Sequence, residues 1–128
     1  MISNKLIDKI FKFANDNIHL PVSEKKHFSF IVHRKKIIAY GYNQAWKTHR
    51  LAARFKHRFS CRHSELHCLI NFPYPIEDLN KFKLVNIRLH KDGTIGASKP
   101  CQFCQQMLSE FNINKVYYST GSGEFLAL

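Results

Sequence analysis

Apolar residues recur at helical spacing at the start of the chain, where Leu6, Ile7, Ile10, Phe11, Phe13 and Ala14 predict a helix over residues 3 to 16. Two runs with strand character follow. His27 to His33 and Lys36 to Tyr42 flank the basic pair Arg34-Lys35 and predict a hairpin. A second helix is expected from His63 to about Phe72, ending ahead of Pro73 and Pro75, whose rings remove backbone donors and obstruct a continuing turn. Phe82 to Leu89 alternates between apolar and polar residues and predicts a third strand. Beyond the turn region Gly93 to Gly96, a third helix is expected from about Cys101 to Phe111, with Phe103, Met107, Leu108 and Phe111 facing inward. Lys115 to Tyr118 reads as a fourth strand, and Gly121-Ser122-Gly123 leads into a short hairpin partner at Glu124 to Leu128.

The resulting order is helix, strand, strand, helix, strand, helix, strand, strand. A hairpin continued by strands that are linked through helices implies an α/β fold with one mixed sheet of about five strands and helices packed on its faces. With 128 residues and 45% hydrophobic content, the chain can bury one sizeable core, so residues 1 to 128 are expected to form a single domain. No run of about 18 apolar residues occurs, and Met1-Ile2-Ser3-Asn4-Lys5 opens no signal-peptide core. The expectation is a cytoplasmic protein, or a nuclear one in a host with a nucleus, and no membrane partner.

Two short motifs carry the chemistry. His63-Ser64-Glu65 and Pro100-Cys101-Gln102-Phe103-Cys104 supply three zinc ligands and a carboxylate, and both fall at predicted helix starts. Structural zinc normally takes four protein ligands, whereas catalytic zinc keeps one position for water; His63, Cys101 and Cys104 make three. Pro100 is expected to set the first turn of its helix, whose N-terminus favours the negative charge of two thiolates on one face. Glu65 is then a carboxylate close to the metal without binding it, suited to moving protons.

Each piece has a plainer explanation. Cys-x-x-Cys also serves redox pairs and structural zinc, and the four cysteines Cys61, Cys68, Cys101 and Cys104 allow a closed structural site. Against that, Cys61 and Cys68 are spaced more widely than zinc-knuckle ligands, and Cys68 falls in the apolar run Leu66, Cys68, Leu69, Ile70, where a buried free thiol is ordinary. A few cysteines with metal-type spacing fit a reducing compartment better than a disulfide framework.

Taken together, His63-Ser64-Glu65 and Pro100-Cys101-Gln102-Phe103-Cys104 match the H-x-E and P-C-x-x-C signature of zinc nucleobase deaminases. The chain thus resembles the cytidine deaminase-like superfamily over nearly its whole length. Gly41-Tyr42-Asn43, Lys47-Thr48-His49, Ser98-Lys99-Pro100-Cys101 and Val116-Tyr117-Tyr118-Ser119-Thr120 are similar to further family segments. The resemblance implies a three-layer fold, zinc as cofactor, and Glu65 as the catalytic proton shuttle. It further implies that Asn43 holds the sugar of the target, that a backbone carbonyl of the Ser98 segment orients the base, and that the Tyr118 region meets a neighbouring nucleotide. Ser64 stands where many members carry a small apolar residue, a mild departure. The short antiparallel C-terminus is nearer to the free-cytidine branch, and it favours cytosine over adenine as the target base. Enzymes of that branch often assemble from subunits, so a homo-oligomer is compatible with the resemblance.

Charge points to a polyanion. Lys and Arg number 20 against 9 Asp and Glu, a formal net charge of +11. Lys47, Arg50, Arg54, Lys56, Arg58 and Arg62 lie in one acid-free stretch with His49 and His57, interleaved with Trp46, Phe55 and Phe59, and the stretch runs directly into His63. Cations for phosphates and aromatic faces for unstacked bases are what a single-strand groove uses, with Trp46 and Tyr118 as candidate stacking residues. The same stretch also reads as solvated helix surface with Phe55 and Phe59 facing a core, and Lys81, Lys83, Arg88, His90 and Lys91 spread positive charge elsewhere. The expected activity is zinc-dependent hydrolysis of cytosine to uracil in single-stranded DNA or RNA. A cytidine or deoxycytidylate deaminase acting on free nucleotides is the nearer alternative, and a non-catalytic nucleic-acid-binding module with structural zinc the farther one.

Overall fold

The computed structural model describes residues 2–21, 26–45 and 61–128. Helix α1 (Asn4–Asp16) begins at Ser3, whose hydroxyl accepts from the backbone N–H of Leu6 at 3.2 Å and satisfies one of the donors that a helix start leaves open. The helix buries Leu6, Ile10 and Ala14, four residues apart on a single face. Strands β1 (Lys26–His33) and β2 (Lys36–Tyr42) form the expected antiparallel hairpin, and Arg34 at its turn takes a left-handed φ of 58°. Strands β3 (Gln44–Ala45) and β4 (Cys61–Arg62) make a two-residue antiparallel ladder that ties the end of β2 to the residue before His63.

Helix α2 (Ser64–Ile70) follows, then a 3-10 helix (Ile76–Lys81), strand β5 (Lys83–Leu89), strand β6 (Ile95–Gly96), helix α3 (Gln102–Glu110), strand β7 (Lys115–Ser119) and strand β8 (Phe125–Ala127). The main sheet has the order β2-β1-β5-β7-β8, with β6 added to β5. β1 and β5 are antiparallel, β5 and β7 parallel, and β7 and β8 antiparallel, so the sheet is mixed. A parallel pair cannot be joined by a tight turn, and α3 makes its crossover.

Strand alternation divides the interior in two. Phe28, Phe30 and Val32 of β1, with Val85, Ile87 and Leu89 of β5 and Tyr117 of β7, pack against Leu6, Ile10 and Ala14 of α1. Ile31, Leu84 and Val116 face the opposite way, onto Leu66, Cys68 and Leu69 of α2 and Cys104, Met107 and Leu108 of α3. The fold is therefore three layers, with helices on both faces of one sheet. Because both faces are covered, the middle of β1 (Phe28 to Val32) is apolar except at Ser29 and that of β5 (Leu84 to Ile87) except at Asn86, and a polar residue inside either strand needs a partner.

Helix α2 lies unusually close to the sheet. A Cβ at Gly41 would stand 2.2 Å from the backbone nitrogen of Cys68 and 2.7 Å from the carbonyl oxygen of Ser64, so only glycine permits this approach. The same helix covers the outer edge of β2: the Tyr42 N–H donates to His67 Nδ1 at 3.1 Å, and Asn71 Nδ2 donates to the Tyr40 carbonyl at 3.0 Å. Side chains one helical turn apart thus occupy edge groups that another strand could otherwise pair with.

Candidate active site

His63 and Cys101 both occupy N-cap positions, of α2 and α3 respectively, and neither side chain makes the usual capping bond. A Ser, Thr, Asp or Asn at an N-cap turns its oxygen back on the helix; here the two side chains turn toward one another. Pro100 stands one residue ahead of the cap, not in the first helical turn as its ring chemistry implied, and its carbonyl accepts from Gln105 Nε2 at 2.8 Å. Cys104 belongs to the first turn of α3 and is buried.

His63 Nδ1 lies 3.7 Å from Cys101 Sγ and 3.5 Å from Cys104 Sγ, and all three ligand atoms fall within 4.8 Å of one another. A tetrahedral zinc with ordinary bond lengths separates a nitrogen from a sulfur ligand by about 3.6 Å. The donor set therefore fits zinc in both chemistry and spacing, with three ligands contributed. The hydrogen bond to Cys101 raises the His63 pKa above its usual value; burial opposes the rise, and the charges of Glu65 and Cys101 add to it.

His67, one turn after His63, does not join this group, because its Nδ1 accepts from the β2 backbone and its ring packs edge-on against Tyr42 at 4.7 Å. Cys68 is fully buried in the core between α2 and the sheet, and desolvation pushes its thiol pKa far upward. It is an inert packing residue, which removes it from any four-cysteine site.

Glu65 is buried at 5% exposure on the first turn of α2. Its Oε1 accepts from Ser64 Oγ at 3.1 Å and its Oε2 from Asn86 Nδ2 at 3.1 Å. Asn86 in β5 is set opposite Ser29 in β1, Ser29 opposite Gly41 in β2, and Asn86 beside Tyr118 in β7. Paired residues share a sheet face, so Gly41, Ser29, Asn86 and Tyr118 form one row beneath the two helix starts. Ser29 and Asn86 escaped the sequence reading. The available signal was a polar residue centred in an otherwise apolar strand, in His27-Phe28-Ser29-Phe30-Ile31 and in Leu84-Val85-Asn86-Ile87.

Asn43, expected at the sugar, continues the β1–β2 ladder: its backbone N–H donates to the His27 carbonyl at 3.2 Å, and its Oδ1 accepts from the His27 N–H at 3.0 Å. Tyr118 lies in the row just described, with Lys99 Nζ 6.0 Å from its ring centre. Trp46, Lys47, Arg50, Arg54, Lys56 and Arg58 lie outside the described residues, and Arg62 is described only through its backbone in β4. Among the described residues, no helix is long and apolar enough to cross a membrane.

Solved structures share this architecture. Cytidine deaminase from Burkholderia pseudomallei superposes with a TM-score of 0.62 at 15% identity, covering 99% of this chain and 92% of that one. The dCMP deaminase of the cyanophage S-TIM5, solved in complex with dCMP and dUMP, gives 0.59 at 16% identity, covering 91% of this chain and 82% of that one. Its apo form gives 0.60 at 18% identity, covering 93% and 86%. No curated protein sequence matches. The family model for the cytidine and deoxycytidylate deaminase zinc-binding region matches residues 4–120, from α1 to the end of β7 and across the whole His/Cys/Cys group, and the chain belongs to that family of zinc deaminases.

Proposed function

We propose that this protein is a zinc-dependent hydrolytic deaminase that converts cytosine to uracil, with single-stranded DNA or RNA as its substrate. The observation that carries the reading is the convergence of His63, Cys101 and Cys104 beside a buried carboxylate, Glu65, held by two hydrogen-bond donors. In this reading His63, Cys101 and Cys104 hold the metal. When bound, zinc supplies the Lewis acidity that brings the pKa of water toward neutrality.

Glu65 takes a proton from the attacking water as its oxygen bonds to C4 of the base. It passes that proton to the ring nitrogen, then takes the proton of the new C4 hydroxyl and delivers it to the exocyclic amine, which leaves as ammonia as the C4–N bond breaks and C4 becomes a carbonyl. Tyr118 and Trp46 are assigned to base stacking, Asn43 to the sugar, and the cations from Lys47 to Arg62 to phosphates. Support for a polynucleotide comes from the +11 charge and its acid-free concentration ahead of His63. A second reading, deamination of a free cytosine nucleotide, is favoured by the fold shared with the cyanophage enzyme solved with dCMP and dUMP.

Mass spectrometry on four matched substrates separates these readings: cytidine, deoxycytidylate, a cytosine-bearing DNA strand and its RNA equivalent. A gain of about one mass unit on a polynucleotide alone is the expected result. A gain on monomers alone replaces the first reading with the second. Glu65→Ala should retain zinc and fold yet lose turnover, and retained turnover would remove Glu65 from its role.

A further inference from the structure

Burying a polar side chain is costly unless its hydrogen-bonding capacity is met. Among the described residues, the buried polar and charged side chains are Ser29, Ser64, Glu65, Asn86, Ser98 and Ser119. All six belong to one hydrogen-bonded network. They come from β1, α2, β5, the segment before α3, and the end of β7, so five separate parts of the fold meet in it.

Asn86 is its centre. One hydrogen of its Nδ2 goes to Glu65 Oε2 at 3.1 Å and the other to the Ser98 carbonyl at 3.2 Å, while its Oδ1 accepts from Ser29 Oγ at 2.5 Å. Both hydrogens of the amide and one lone pair of its oxygen are used, and a flipped amide would set its oxygen against two other acceptors. Ser29 Oγ also meets Ser64 Oγ at 2.8 Å, and Ser64 Oγ donates to Glu65 Oε1, so the carboxylate is gripped at both oxygens.

On the other side, Ser98 is fastened as firmly. Its hydroxyl donates to the Asn86 carbonyl at 2.9 Å and meets Ser119 Oγ at 2.7 Å, and its backbone N–H donates to the Ser119 carbonyl at 2.9 Å. Ser98 is followed directly by Lys99, Pro100 and Cys101. The Asn86 amide therefore spans the gap between the Glu65 carboxylate and the segment that delivers Cys101.

We propose that Asn86 is a positioning residue that fixes the Glu65 carboxylate relative to the Ser98–Cys101 segment, and so sets the geometry in which the proton shuttle faces the reacting base. The proposal rests on the deaminase reading and adds a residue to it. Asn86 acts through Glu65 and does not touch the substrate. Its removal should therefore act on turnover and not on substrate binding, since misplacing a reacting group by about 1 Å can cost about 100-fold.

The test uses Asn86→Asp, which keeps the shape but replaces the double donor with acceptors, and Ser29→Ala, which leaves both amide donors in place, releases the Oδ1 anchor and the Ser64 contact, and guards against a first variant that fails to fold. Both are measured with zinc loaded, on whichever cytosine substrate the wild type turns over, with kcat expressed per zinc-bound folded chain. The expected result is a kcat about 100-fold lower in Asn86→Asp and about 10-fold lower in Ser29→Ala, with KM within about threefold and zinc stoichiometry unchanged. A lower melting temperature with kcat unchanged would make the network purely structural and overturn the proposal, as would a rise in KM at constant kcat. A wild type silent on every cytosine substrate would overturn the deaminase reading itself, and the positioning role with it. As a readout independent of turnover, the side-chain amide resonance of Asn86 should shift on Glu65→Gln; an unmoved resonance would show that the two are not joined.

Discussion

At the scale of single residues, what separates the site from the core is which side chains give up their ordinary local role. His63 and Cys101 occupy N-caps without capping, while Cys68, only five residues from His63, meets the Ile31 backbone and fills the core. Cys68→Ala should therefore leave one zinc per chain, measured by metal analysis, and cost about 1 kcal/mol in stability, measured by denaturant unfolding. Loss of zinc in that variant would return the cysteine to the metal. In native protein Cys68 should also resist thiol reagents, because burial keeps it protonated. The His63, Cys101 and Cys104 group and the neighbouring Glu65 were legible as candidates in the sequence because the chemistry proposed for them depends on residue type at short spacing. Asn86 and Ser29 were not, because their significance lies in a cross-strand pairing 57 residues apart in sequence that places them together beneath α2.

Elements were legible where a period persists, and illegible where pairing is brief. The 13-residue α1 and the seven- and eight-residue central strands announce themselves by repetition, as does α3. The β3–β4 and β5–β6 ladders contain two residue pairs each, too few to leave a period, and the turn region at Gly93 to Gly96 proved to carry one of them. Helix α2 stops at Ile70, two residues short of the expected Phe72, and a 3-10 helix at Ile76–Lys81 follows Pro75. The most consequential element contact was also hidden: Gly41 looked like part of a strand end, yet its missing Cβ lets α2 rest on β2. Gly41→Ala would drive a methyl group into the backbone of Cys68 and Ser64, neither of which is a flexible tip that can move aside. We expect a loss of about 3 kcal/mol, roughly 10 °C in melting temperature, together with weaker zinc retention, since His63 and Glu65 ride on the start of the displaced helix. Unchanged stability and metal content would show that α2 does not depend on this approach.

For the molecule as a whole, the open choice between a polynucleotide and a free nucleotide is one of long-range charge, and ionic strength reads it directly. In the proposed mechanism the site chemistry is common to both, because zinc and Glu65 would act on the base alone, with Ser29 and Asn86 acting through Glu65. In the proposed polynucleotide reading, the +11 charge would act on what carries the base. A single-stranded substrate whose phosphates engage about four of the cations between Lys47 and Arg62 should lose affinity with a log–log salt slope of about −3, or about 50-fold between about 50 and about 200 mM salt. A nucleotide held through one phosphate should lose only about threefold over the same range. The measurement is kcat/KM against salt for the DNA strand and for deoxycytidylate in parallel, with buffer and zinc held constant. Arg50→Ala combined with Arg54→Ala should flatten the strand's slope by about 1.4 while leaving kcat at saturating substrate intact. A strand slope no steeper than that of the monomer would assign the basic stretch to solvated surface and leave the +11 charge without a role in substrate choice.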